Sequence, residues 1–275
     1  MVMPSPVTDR AEARPAPLPA AGGASVTRLR DLTLHLAKRE IDVTHRMTVL
    51  GWAWPLVRQL ALLGVLVFIF SNVLELGIDN YATFVFTGII AWSWFATGIT
   101  AATSSLVGQR HLLFQGRFPA VVLPVVALAV PLLDVLLALP VLLVLVATSQ
   151  GLPWTIALVP LLIVVQFVLM AGLAWMTAAL SVFFRDVPNL VGVGLLLLFY
   201  LTPVFYGLRN LPGKFQRVLQ LNPLTTIVES YRAAMLGGPA PGAARIAAVV
   251  VFSILVAVVG FVAFNRVQKR FVDYL

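Results

Sequence analysis

The sequence predicts an all-α polytopic membrane protein: six transmembrane helices, an amphipathic interfacial helix ahead of them, and a re-entrant helical hairpin on the outer side. Three observations predict it. Of the 275 residues, 60% are hydrophobic and only 11% are charged, with a mean hydropathy of +0.97. An ordinary soluble domain carries about 25% charged residues, so a soluble fold of this size would lack the polar surface to cover its core. Apolar stretches recur at the length of about 20 residues that a helix needs to span a ~30 Å hydrocarbon layer. Finally, runs such as VLLALPVLLVLVA do not alternate apolar with polar, as barrel strands do. Helices remain as the structure that satisfies its own backbone in lipid.

The elements follow in chain order. Residues 1–27 are rich in Pro, Ala and Gly and lack the continuous apolar core of a signal peptide. They read as a disordered cytoplasmic tail. In residues 28–53, Leu29, Leu32, Leu36, Val43, Met47 and Leu50 recur at steps of three, four and seven, which makes one apolar helical face opposite a charged one. A basic amphipathic helix beside a span lies along the cytoplasmic leaflet, among membrane lipids; a soluble helix packed on a partner is the other reading. Residues 54–275 hold the six spans, at about Pro55–Leu74, Phe84–Leu106, Ala120–Ala147, Trp154–Val182, Leu190–Phe205 and Ile246–Phe264.

Lys and Arg set the orientation. Arg28, Arg30, Lys38, Arg39 and Arg46 precede the first span. Arg110 and Arg117 follow the second, Arg185 follows the fourth, and Arg266, Lys269 and Arg270 lie in the tail. The short loops after the first and third spans have neither residue. Both termini are therefore expected in the cytoplasm, with the chain multi-pass in a plasma (bacterial inner) membrane. The net charge of +8 is explained by these flanks, not by nucleic-acid binding. One outer loop departs from the rule, since residues 207–244 carry Arg209, Lys214, Arg217 and Arg232.

That loop has its own order. Asn222 is a good N-cap and Pro223 suits the first helical position. Leu224, Ile227, Val228, Tyr231 and Met235 then form one apolar face. Gly237 and Gly238 end the helix, and residues 214–221 allow a shorter helix before it. Glu229 and Arg232, three apart, are placed to pair on the polar face.

Catalytic constellations are missing. The string GLRNLPGKF is spaced wrongly for a phosphate loop, with five residues between Gly207 and Gly213 and Phe215 where Ser or Thr should bind magnesium. His35, His45 and His111 lack metal-ligand spacing, cysteine is absent, and no serine sits in a GxSxG elbow. No metal, cofactor or enzyme activity is expected of the chain, so its energy must come from an ion gradient or a partner. Asp134 is the intramembrane carboxylate that ion coupling would use. A conformational role beside Pro131 is the reading preferred for it. Arg58, near the cytoplasmic end of the first span, can snorkel to headgroups or meet an anionic substrate.

Four strings resemble the ABC-2 type permeases that export O-antigen, teichoic acid and related lipid-linked glycans. REIDVTHRMTVLGWAW (Arg39–Trp54) looks like the family's amphipathic helix and its Leu-Gly-aromatic-x-Trp signature. FPAVVLP (Phe118–Pro124) and FFRDVPNLV (Phe183–Val191) resemble its two cytoplasmic turns. YLTPVFYGLRNLPGKFQRVLQLNPLTTIVESYRAAMLGG, from Tyr200, is the most specific, with its Thr-Pro-Val start, Leu-Pro step, Asn-Pro cap and Glu-x-x-Arg. In place of a basic-aromatic-basic string the chain has Thr44, His45 and Arg46, and in place of Asn-Pro in the first span it has Arg58 and Gln59.

The resemblance implies a permease that works as a homodimer with two copies of a separate ABC ATPase subunit, which carries the ATP and Mg. Gln109, Arg110, His111 and Arg117 would form a coupling segment against that ATPase, with Arg185 and Asp186 near the same surface. The substrate would be a lipid-linked glycan, passing between the two copies. Trp92, Phe95, Tyr200, Phe205 and Tyr206 are candidates to line its path, because sugar C–H faces stack on rings. For each, a membrane aromatic belt or simple packing is the competing reading. Asn222, Pro223, Glu229 and Arg232 would build the outer hairpin. A drug- or lipid-moving permease of the same architecture, and a non-transporting membrane scaffold, are the alternatives.

Overall fold

A computed structural model describes residues 53–72, 78, 80–114, 119–149 and 151–274. The tail, the interfacial helix and Arg117 lie outside the described residues. Every regular element among the described residues is helical: α1 (Trp54–Asn72), α2 (Tyr81–Gly108), α3 (Arg110–Phe114), α4 (Val122–Ser149), α5 (Val159–Phe183), α6 (Val187–Leu201), α7 (Gly213–Leu219), α8 (Pro223–Leu236), α9 (Ala243–Val267) and α10 (Phe271–Tyr274). A short 3₁₀ turn at Trp154–Leu158 leads into α5, a common use of this tighter helix.

Among the described residues, four helices are long and apolar enough to cross a membrane: α2, α4, α5 with its 3₁₀ prefix, and α9 with its 3₁₀ extension to Arg270. The apolar helices α1 and α6 are shorter. At 1.5 Å per residue, the 15 residues of α6 reach roughly 22 Å. The sequence places Phe205 inside the fifth span, but α6 stops at Leu201. Pro203 cannot donate to the helix and drives Thr202 to an extended conformation (φ −109°, ψ 131°). The chain from Thr202 to Tyr206 is a turn. Pro131 and Pro140, by contrast, leave α4 continuous over 28 residues.

The centre of the bundle is α2. It packs on α1, α4, α5, α6 and α8, and 18 of its 28 residues are buried. Polar side chains tie it to its neighbours. The Gln166 amide donates to the Ala91 carbonyl (2.8 Å), the Ser181 hydroxyl to Thr103 O (2.6 Å) and the Trp94 indole to Leu128 O (3.4 Å). Thr87, Thr97, Thr100 and Thr103 return their hydroxyls to carbonyls four residues back, so they add no unmet polar group in lipid.

Helices α5 and α9 touch backbone to backbone. A methyl group added at Gly172 would lie 2.5 Å from the Val256 carbonyl, and one at Gly260 would collide with the Gly172 carbonyl. In lipid, where apolar burial does not favour one helix partner over another, such small-residue contacts supply the packing.

The helix contacts sort the loops to two ends. At one end the Thr155 hydroxyl, ahead of α5, donates to Ala234 O of α8 (2.8 Å), and Tyr81 at the start of α2 donates to Phe205 O (2.8 Å). At the other, Leu106, Leu113, Ala120, Leu123, Val182 and Phe271 share a second core, sealed by Phe183 against Phe271 and Tyr274. The five helices α2, α4, α5, α6 and α9 thus run alternately in chain order between these ends, the hairpin α7–α8 staying at the first.

Candidate functional site

The first end is organised around the Thr202–Tyr206 turn. The α8 residues clamp it. The Asn222 side chain accepts the Leu224 N–H (3.0 Å) as an N-cap, while its amide donates to the Thr202 hydroxyl (2.9 Å). One residue thus starts α8 and holds the end of α6. Pro223 occupies the first helical position and Gly237 closes α8 in the left-handed conformation (φ 62°), as the sequence predicts. The apolar face Leu224, Ile227, Val228, Tyr231 and Met235 is buried.

Arg232 departs from expectation. It does not sit on a polar face paired with Glu229; it is buried, with 7% of its surface exposed. Its Nη1 donates to Pro203 O and its Nη2 to Val204 O, both at 2.6 Å, and its Nε donates to Phe84 O at 3.2 Å. The guanidinium lies 3.5 Å over the Phe84 ring. The reason is geometric: the turn at Pro203 and Val204 and the start of α2 point carbonyls at one spot, and a planar fork satisfies all three. Gly88 makes the room, since a methyl there would lie 2.7 Å from Val204 O and 2.8 Å from Nη2. Burial pushes the Arg232 guanidinium down to about 9, and the Glu229 carboxylate offsets part of that. It remains cationic at neutral pH. Glu229 pairs instead with Arg245 in the first turn of α9, at 2.8 Å. Spacing along α8 cannot reveal this pair; the signal was a lone arginine opening the last apolar span.

All five candidate aromatics join one network of rings. Phe95 meets Trp92 (5.8 Å between centroids), Trp92 meets Phe199 (5.5 Å), and Phe199 meets Tyr200 and Phe205 (5.5 and 5.6 Å). Phe205 then meets Tyr206 at 5.1 Å. Phe70 and Tyr81, which the sequence reading missed, extend the network to α1 and the start of α2. Their signal was an aromatic at each end of the loop between the first two apolar stretches. Exposure divides the set. Trp92 and Phe95 are buried in the protomer, at 9% and 3%, whereas Tyr200 is 59% exposed and Phe205 and Tyr206 are half-buried. The Tyr206 hydroxyl donates to Tyr200 O (2.8 Å), which fixes the two tyrosines to each other.

At the opposite end, Arg110 and His111 are exposed on α3 and Gln109 is half-buried just before it. Arg185 and Asp186 are exposed in the turn between α5 and α6. The Ser181–Thr103 hydrogen bond sets the ends of α5 and α2 level, so the two segments share one end of the bundle. Arg58 is exposed on α1, and Asp134 is half-buried in α4. Among the described residues no cluster of His, Asp and Glu could hold a metal ion.

The family described as ABC-2 type transporter matches residues 31–236. Curated relatives cover nearly the whole chain. An O-antigen export system permease protein RfbA from Myxococcus xanthus is 31% identical over 247 residues, 89% of this chain and 95% of the relative. Two proteins of the same name from Klebsiella pneumoniae are 28% and 27% identical over 250 residues, 90% of this chain and 96% of each relative.

Proposed function

The chain belongs to the ABC-2 type transporters, and on that premise we propose that it is the permease subunit of an ATP-driven exporter that moves a lipid-linked polysaccharide across the plasma membrane. The observation that carries this reading is likeness along about nine tenths of the chain to three permeases named for O-antigen export. The chain is a transport component and has no phosphate loop of its own, so ATP and Mg belong to a separate ABC ATPase. Two copies of each subunit make the working assembly. The chain crosses the membrane six times with both termini in the cytoplasm, α1 and α6 being the two short crossings. The alternating run of helices and the basic residues Arg110, Arg185, Arg266, Lys269 and Arg270 at one end support this topology.

The ATPase docks on the segment from Gln109 through Arg117 and on the Arg185–Asp186 turn. Exposure of Arg110, His111, Arg185 and Asp186 at one end supports that docking. The glycan passes between two copies, which meet along a face that includes α6. In support, Val187 is the buried residue of α6, and Leu190, Val193, Leu196, Leu197 and Tyr200 are exposed. Sugar rings stack on the path's aromatic network: Tyr200 and Tyr206 make contact, while Trp92 and Phe95 brace Phe199 and Phe205 from behind or turn toward the path when it opens. Arg58 meets anionic cargo or lipid near the cytoplasmic mouth. The outer hairpin of Asn222, Pro223, Glu229 and Arg232 closes the far end.

Each stacking contact contributes on the order of 1 kcal/mol. Single alanine changes at Trp92, Phe95, Tyr200 or Tyr206 therefore slow export several-fold, and the four together stall it. Lipid-linked glycan accumulating on the cytoplasmic face is the measurement. No glycan build-up on deleting the chain would overturn the substrate class. Normal export by a stably inserted quadruple variant would overturn the lining alone.

A further inference from the structure

Beside the clamped turn lies a cleft of about 480 Å³ between α7, α8 and the loop leading into α9. Its wall mixes apolar residues such as Ile78, Leu208 and Leu236 with a polar set that includes three arginines. Arg209, Arg232 and Arg245 are among its lining residues, and Glu229 is the carboxylate among those described. The two cation-bearing side chains able to reach a ligand differ in how they are held. Arg245 is fixed by Glu229 through Nη2, while its Nε is enclosed and has no hydrogen-bond partner. Arg209 is exposed at the rim. Gln216 donates its amide to Leu211 O (2.7 Å), which leaves its carbonyl oxygen as an acceptor. Gln220 and Asn210 add polar groups. Gly242 also lines the cleft and gives no side-chain cap to α9, so the positive end of that helix adds to the field.

The excess of fixed positive charge over negative selects an anion, and the amides and carbonyls suit hydroxyls around it. We propose that this cleft binds a single carboxylate or phosphate group borne on a hydroxylated carrier, held by Arg209 and Arg245. Two carriers share that chemistry, an acidic sugar of the exported glycan and a phospholipid headgroup of the outer leaflet. The volume is that of one sugar or one headgroup, with the rest of a longer carrier left outside the cleft. The proposal rests on the outward placement of this end given above for its biological source, but its binding chemistry does not depend on export.

The test uses the full-length chain with its ATPase in nanodiscs of phosphatidylcholine. Calorimetric titrations compare galacturonate with its neutral methyl ester, and glycerol 1-phosphate with glycerol. At least one anionic probe should bind about tenfold or more tightly than its neutral analogue, as expected for a charge-assisted contact. Preference for galacturonate identifies the glycan as the source, and preference for glycerol 1-phosphate identifies the lipid. Arg209→Gln and Arg245→Gln should each weaken that binding about fivefold or more. Arg217→Gln, an exposed cation of α7 that does not line the cleft, should leave it unchanged. Because Arg245→Gln also strips Glu229 of its partner, Arg209→Gln with an unaltered melting temperature is the deciding variant. Equal binding of charged and neutral probes, or anion binding indifferent to Arg209, overturns the site. Failure of export in cells with intact, Arg209-dependent anion binding would instead count against the permease reading.

Discussion

At the scale of single residues, Arg232 carries the most structure. Replacing it with Met would fill similar space but leave the Phe84, Pro203 and Val204 carbonyls without their donor. A buried acceptor left unmet costs about 1–3 kcal/mol, so Arg232→Met should destabilise the chain by about 3 kcal/mol or more, read as a lowered melting temperature of the purified protein. Arg232→Lys should recover only part, because an ammonium lacks the planar fork. A Met variant as stable as the parent would show that the clamp contributes nothing. Asn222→Ala should cost about 1 kcal/mol from the lost cap alone, and more through Thr202. The residue scale is also where the sequence was least legible. Asn222, Pro223 and Gly237 were readable because caps act within a turn of their own positions. The destination of Arg232 was not, because its acceptors lie 28, 29 and 148 residues away. Helical spacing offered Glu229 as a partner and could say nothing of a carbonyl nest built by a distant turn.

At the scale of elements, hydropathy located every long helix to within a few residues, since burial in lipid imposes its length directly on the sequence. What it could not give was which helix touches which. The Gly172–Gly260 contact between α5 and α9 is an example, since glycines in apolar helices look alike until a partner backbone arrives. Gly260→Leu should force these helices apart and cost about 1–3 kcal/mol or more, with Gly172→Val acting alike. Gly192→Leu on α6 is the control, because nothing lies within 4 Å of a methyl placed there. Thermal melts of the three purified variants check this; equal melting temperatures would mean that the close approach is dispensable. Hydropathy also ran the fifth span to Phe205, because Pro203 ends the helix without interrupting the apolar run.

At the scale of the whole molecule, the sorting of charge and loops leads to a topology test that the cysteine-free sequence makes clean. Cysteine placed at Leu152 should be labelled by an impermeant reagent from outside, and cysteine at Asp186 only after the cytoplasmic face is opened. The reverse pattern would invert the assignment. The same end-to-end division predicts that Arg110→Glu with Arg185→Glu leaves insertion intact but reduces ATP-driven export at least several-fold. Crosslinking to the ATPase reads the cause directly, and undiminished crosslinking and export would remove these residues from the docking surface.

The clamp also imposes an order on biosynthesis. The ribosome finishes α6 and its Thr-Pro-Val turn well before it reaches Arg232. At about 5–20 residues per second the interval is roughly a few seconds. Until Arg232 follows the turn out of the ribosome, the three carbonyls lack their cation. The end of the bundle that holds the clamp therefore locks only once α8 has been made. A chain truncated after α7 and released from the ribosome should remain open to protease at the turn that the finished protein conceals.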